Sequence, residues 1–170
     1  RVFDQPARML GYHPLATNGD QTDTLRDTVL TGKHYIDALR TRCYEPDGPN
    51  YTPRISGVLC NKTGSYALSI LKSADGNPGC NHRYFFEYDT PLPGQGHLIH
   101  TYAGDGQPLP AFDGEPRRVA LETEDAAPLA DVLWTALDFE NKVSLFVRTL
   151  ELKSGQAESI IINKNLGGTL

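Results

Sequence analysis

Cysteine is scarce in this 170-residue chain: Cys43, Cys60 and Cys80 are an odd number, set far apart, with no CxxC pair. That pattern excludes a disulfide framework and a zinc site of the usual spacing, and it makes three buried free thiols the expectation. No apolar run approaches the roughly 20 residues a membrane span needs, and no segment joins a basic head to an apolar centre as a signal peptide does. A soluble, cytoplasmic protein without a membrane partner is expected. Clusters of basic residues are missing too: Lys and Arg, 16 in all, are scattered among 21 Asp and Glu, for a formal net charge of −5. Nucleic acid is therefore not the expected partner, whereas a small anion met by two or three cations fits.

The common catalytic signatures are also absent: there is no GxSxG elbow, no SxxK and no GxxxxGK[ST] phosphate loop. Asp20, Asp23 and Asp27 in "TNGDQTDTLRDTV" lack the alternating ligands, central Gly and closing Glu of a calcium loop. His97 and His100 in "HLIH" would face opposite sides of a strand. Neither a metal nor a cofactor is expected. What the chain does have is a set of polar segments rich in Gly or Pro at element ends: "TNGDQTD", "RCYEPDGPNYTPRI", "LKSADGNP" and "IHTYAGDG". Loops around a small polar ligand have this composition, and so do surface turns.

The periodicity predicts two helices after a short head, in "TDTLRDTVL" and "HYIDALRTRCY", separated by Gly32. Their apolar faces are Leu25, Val29 and Leu30, then Tyr35, Ile36, Leu39 and Cys43, and Thr22 is the expected cap of the first. Short β-rich runs follow: "RISGVLC" and "SYALSILKS" around the hairpin signal "NKTG", then "HRYFFEY" and "GHLIHTYA". The loop "GDGQPLPAFDGEP" is long and carries Asp105, Asp113 and Glu115, which suggests a functional segment. "RRVALE" reads as a strand, "APLADVLWTALDF" as an amphipathic helix, and "KVSLFVRTLELKSGQAESIIINK" as a hairpin turning at Ser154 and Gly155. About seven strands with helices before and after them imply one α+β domain spanning 1–170. "YALSIL" and "VSLFV" are apolar enough for burial on both faces, which favours a four-layer sandwich of mainly antiparallel sheets with helices outside.

Among the polar segments, "YEPDGPNYTPRI" is the most informative. Glu45 stands where a helix must stop at Pro46, and Arg54 opens the next strand. The two could converge on one pocket, with the guanidinium as a planar fork for phosphate, or they could be a solvated Glu and a surface Arg.

The segments "TNGDQTDT" and "NYTPRISGVL", separated by two short helices ending in "RCYEPD", resemble the archaeal-type IMP cyclohydrolase family in its bacterial branch. "LSILKSADGNP", "RYFFEYDTPLPGQGHLIHTY", "GDGQPLPAFDGEP", "NKVSLFVR" and "INKN" extend the resemblance from about Ala7 to Asn165. It implies an αββα sandwich similar to N-terminal nucleophile hydrolases. It also implies ring closure of the formylated aminoimidazole carboxamide ribotide to IMP and water, the last step of purine biosynthesis. The activity implied is formally that of a cyclic-amidine hydrolase working in the dehydrating direction. Such a reaction needs no metal: the carboxamide nitrogen and formyl carbon share one molecule, and the enzyme must orient them, move protons and stabilise an oxyanion.

By motif, the resemblance implies Glu45 as proton shuttle and Arg1 as the cation that stabilises the formyl oxyanion or holds the base. It implies Asn18, Thr52 and Arg54 as pocket residues, with Arg54 or Lys72 meeting the phosphate, in a homo-oligomer, possibly a tetramer. The chain departs from the family in two places. Family members carry strands before the site that Arg1 opens, so the first N-terminal strands are expected to be missing. They also have a longer connection at Phe3 and Asp4, followed by an active-site Tyr, where "DQPARML" stands here. Three alternatives remain open: an amidohydrolase of the same fold acting through an N-terminal nucleophile, a purine-nucleotide-binding protein without catalysis, and a soluble α+β domain whose polar loops are only solvated turns.

Overall fold

The computed structural model describes residues 2–7, 11–165 and 168–169. The fold is mixed α/β, and all pairings within its two larger sheets are antiparallel. The chain divides into two compact units, Arg1–Pro91 with His97–Arg118 and Leu92–Gly96 with Val119–Leu170.

The first unit is built on a five-stranded sheet in the order β1-β2-β3-β4-β5, with strands Val2–Ala7, Gly11–Thr17, Arg54–Leu59, Tyr66–Ala74 and Asn77–Tyr88. β1 and β2 occupy the stretch that sequence reasoning treated as a head. Phe3 and Asp4 sit side by side inside β1, in unbroken register with Leu15 and Pro14. The predicted hairpin at "NKTG" joins β3 to β4, with Leu59 opposite Tyr66 and Gly64 at a φ of 75°. That positive φ is the left-handed conformation glycine adopts without a Cβ clash.

Two helices, α1 (Gln21–Leu30) and α2 (Tyr35–Arg40), cover one face of this sheet. Leu25 and Leu39, both fully buried, pack with Ala38, Leu15 and Leu71. α1 buries Gln21 and Thr22 beside Leu25, one turn apart and so on one face, while Leu30 is half exposed. Burial of two polar residues is possible because the Gln21 amide donates to the Ile55 carbonyl (3.0 Å) and the Thr22 hydroxyl to the Gly19 carbonyl (2.6 Å).

Several expectations are corrected here. Thr22 lies inside α1, and Asp20 takes the cap position with its carboxylate turned towards arginines instead of the helix. α2 stops at Arg40, so Cys43 lies beyond it and is exposed, as is Cys80 on the outer part of β5; only Cys60 is partly buried. The predicted strand "GHLIHTYA" shortens to β6 (Gln95–Leu98), since His100 turns its ring back on the Tyr102 carbonyl and leaves the strand path.

β6 pairs with β7 (Arg117–Ala120) in a two-stranded sheet. In the second unit α3 (Ala126–Ala136) packs Ala126 and Ala130 on Val147 of β8 (Ser144–Leu150). β8 and β9 (Ala157–Asn163) form the predicted terminal hairpin, turning at Gly155, and β10 (Gly168–Thr169) extends the sheet. β8 buries one face alone, with Val147 at 5 % exposure and Phe146 at 38 %. β4 is the strand buried on both faces, its neighbours Ile70 and Leu71 both at 0 %.

Candidate active site

A cluster of charged residues in the first unit, Asp20, Arg42, Glu45 and Arg54, gathers where β3 begins. Arg54 opens β3 opposite Leu71 of β4, which lies opposite Arg83 of β5, so all three project to the helix-covered face. The Arg54 side chain is 8 % exposed. Its Nε donates to Glu45 Oε2 at 3.0 Å and its Nη2 donates to the same oxygen, while Nη1 pairs with Asp20 Oδ1. Asp20 in turn pairs with Arg42 Nη2 at 2.6 Å. A hydrogen bond from Arg42, aided by the charge of Arg54, holds the Asp20 carboxyl below its ordinary range against a smaller desolvation that pushes it up.

Local structure explains why the chain delivers these groups here. Asn18 follows β2, and its side chain clasps the start of β3: Oδ1 accepts from the Ile55 amide (2.8 Å) and Nδ2 donates to the Pro53 carbonyl (2.9 Å). Gly19 permits close approach, since a Cβ there would stand 2.6 Å from Gln21 Oε1 and 3.6 Å from Arg54 Nε. After α2 the chain is pinned to β5 by Asn81 Nδ2 and Arg83 Nη2, both donating to the Arg42 carbonyl at 3.0 Å. Glu45 is then fixed by its own amide, which donates to the Thr52 carbonyl (2.9 Å).

Thr52 links this cluster to a second polar chain. Its amide donates to Asp47 Oδ1 (2.7 Å), its hydroxyl bonds Asp47 Oδ2, and the Tyr102 phenol lies 2.5 Å from that hydroxyl. Partial burial pushes the Asp47 carboxyl up, but the two hydrogen bonds from Thr52 hold it below its ordinary range. Tyr102 arrives from the long polar loop, which folds back on itself through Phe112 N to Thr101 O (3.1 Å) and Ala103 N to Pro110 O (2.8 Å). Asn18 Nδ2 reaches Thr101 Oγ1 at 3.3 Å, and the Leu109 amide donates to Asn50 Oδ1 at 3.1 Å.

Of the residues singled out from sequence, Glu45 and Arg54 meet directly and Asn18 and Thr52 flank them. Lys72 does not join them. One step along β4 from Leu71, it projects to the other face of the sheet, where its Nζ lies 3.3 Å from both Asp113 Oδ1 and the Phe112 carbonyl. The Gly114 amide and then Lys72 hold the Asp113 carboxyl low. Arg1 lies outside the described residues. Sequence alone names Asp20 only against a calcium loop and does not single out Arg42, Asp47 or Tyr102, although each stands in one of the polar segments quoted above.

His97 Nδ1 lies 2.5 Å from the Tyr66 hydroxyl and His100 Nδ1 lies 2.5 Å from the Tyr102 carbonyl, so the two imidazoles have different partners. Among the described residues no group of three or more His, Cys, Asp or Glu could hold a metal ion, and no helix is long and apolar enough to cross a membrane. A cavity of about 510 Å³, lined by Val29, Tyr35, Val58, Cys60 and Tyr66 among others, opens at the opposite end of β3. Arg54 and Leu59 are five residues apart on that strand, about 17 Å at the usual rise. The cavity therefore does not include the charged cluster, although it has titratable groups of its own in His34, Glu87 and Asp89.

The arrangement offers two carboxylates on a shared guanidinium, a second carboxylate-to-phenol chain, and backbone clasps that fix both. Such a set can orient a polar small molecule and move protons on it. No curated protein and no solved structure matches the chain. The model of the family described as IMP cyclohydrolase-like protein matches residues 2–155, which include every residue of the cluster, and the chain belongs to that family.

Proposed function

We propose that the protein is an IMP cyclohydrolase, closing the purine ring of the formylated aminoimidazole carboxamide ribotide with loss of water. The observation that carries this reading is the Glu45 carboxylate held on Arg54 inside the span that matches the family. The hydrogen bonds from Arg54 use only one carboxylate oxygen, Oε2, and leave Oε1 for a substrate proton. Glu45 acts as the proton shuttle between the carboxamide nitrogen and the former formyl oxygen, and Arg54 holds it in place. Asn18 and Thr52 shape the wall beside it, and Arg1 supplies the cation for the oxyanion, a role that rests on the resemblance alone. Phosphate contact goes to neither Arg54, whose three nitrogens meet carboxylates, nor Lys72, which faces away from Glu45.

The reaction releases water and uses no co-substrate, and the proposal assigns it neither metal nor cofactor. A cytoplasmic homo-oligomer and a single four-layer αββα domain belong to the same proposal. Each unit supplies a sheet with helix packed on a face, which supports the layered reading. Ultraviolet detection of IMP formed from the formylated precursor tests the activity. The wild-type protein should turn over, and Glu45→Gln should lose about 10²-fold or more in kcat while still binding IMP. Nucleotide binding without turnover by the wild type would instead identify a non-catalytic purine-nucleotide binder.

A further inference from the structure

Thr52 has one hydroxyl proton, and the described hydrogen bonds decide where it points. Both Asp47 oxygens face Thr52, one on its amide and one on its hydroxyl. Asp47 is held in its ionised form by those bonds and can only accept. The Thr52 proton is thus directed at Asp47, and Thr52 Oγ1 must accept from the Tyr102 phenol. The result is a polarised chain from Tyr102 through Thr52 to Asp47, with half-buried groups at its start and an exposed carboxylate at its end. The phenol oxygen spends its proton inwards and keeps its lone pairs for an incoming donor.

Resting on the proposed ring closure, we infer that Tyr102 is a second proton-transfer residue of the reaction, wired to the surface through Thr52 and Asp47. The chemistry asks for two such routes, because the protons that end up on the departing water come from two different nitrogens. In the first half the carboxamide nitrogen bonds the formyl carbon, its proton passes to Glu45, and Glu45 returns it to the oxygen that has taken the carbonyl electron pair. In the second half the former formamide nitrogen loses its proton to the Tyr102 oxygen. The electron pair of that N–H bond becomes the ring C=N bond, and the C–O bond breaks with its pair leaving on hydroxide. As the phenol gains a proton it passes its own to Thr52 Oγ1, and Thr52 passes its own to Asp47 Oδ2. Asp47, being exposed, releases that proton to solvent, where it neutralises the hydroxide.

Tyr102→Phe, Thr52→Val and Thr52→Ser test the relay in the full chain. Tyr102→Phe and Thr52→Val should each lower kcat about 10- to 100-fold with KM within threefold, whereas Thr52→Ser, which keeps the hydroxyl, should recover most of it. The proton inventory of kcat in mixed light and heavy water should be curved for the wild type and straighten in Thr52→Val. Far-ultraviolet circular dichroism, unchanged in the variants, shows that the fold is intact. Full kcat in Tyr102→Phe, equal loss in Thr52→Ser and Thr52→Val, or a rise in KM alone would overturn the relay. If the wild type turns over and Glu45→Gln does not, those results remove the relay and leave the cyclohydrolase reading standing. A wild type without turnover removes both.

Discussion

Asp20 joins two arginines through one carboxylate, and its ionisation couples site geometry to stability. Its folded-state value lies below the ordinary 3.8, so between the two values the unfolded chain binds more protons. The contribution is complete above the ordinary value and is lost as pH falls through the folded one. Asp20→Asn should therefore flatten the fall in melting temperature below about pH 4. At 63 % exposure the effect at neutral pH stays within about 1 kcal/mol. Arg54→Lys is a harsher change, because one ammonium cannot bond Glu45 and Asp20 together as the guanidinium does. It should cost about 1–3 kcal/mol in denaturant titration and lower kcat more than it raises KM.

The helix pair over the five-stranded sheet is the element that delivers Glu45. Leu39 is fully buried on Leu71 and its neighbours, one residue before α2 ends at Arg40. Leu39→Ala should cost about 2–5 kcal/mol, read as a lower denaturation midpoint at unchanged slope. Val132 of α3 is 63 % exposed, so Val132→Ala should move stability by no more than about 0.5 kcal/mol. The helical periodicity of both α1 and α2 was legible because apolar side chains recur on one face. The burial of Gln21 and Thr22 was not, since it depends on acceptors supplied by Gly19 and by β3, up to 34 residues away.

At the scale of the whole molecule, membership of the IMP cyclohydrolase-like family accounts for the span 2–155. The proposed homo-oligomer predicts a mass by light scattering at a multiple of 18.7 kDa. A value of 18.7 kDa at micromolar concentration would make the active form a monomer. The lack of basic clusters and the net charge of −5 predict no measurable affinity for duplex DNA at physiological salt.

Local chemistry was enough to determine, from sequence, the two helices, the "NKTG" hairpin, the terminal hairpin and the polar segments that border the site, for each depends on neighbours a few residues apart. Glu45 and Arg54 were also legible, one at a helix stop marked by Pro46 and one at the head of a strand. The first two strands were not, because "VFDQPA" and "GYHPLAT" carry Pro and little alternation, and pairing with each other and with β3 makes them strands. Tertiary structure alone decided that Asp20 and Arg42 complete the cluster, that Tyr102 meets Thr52 across 50 residues, and that Lys72 turns away. The physical reason is sheet geometry: register chooses which residues lie side by side, and the alternation of faces assigns Leu71 to the site's side and Lys72 to the other.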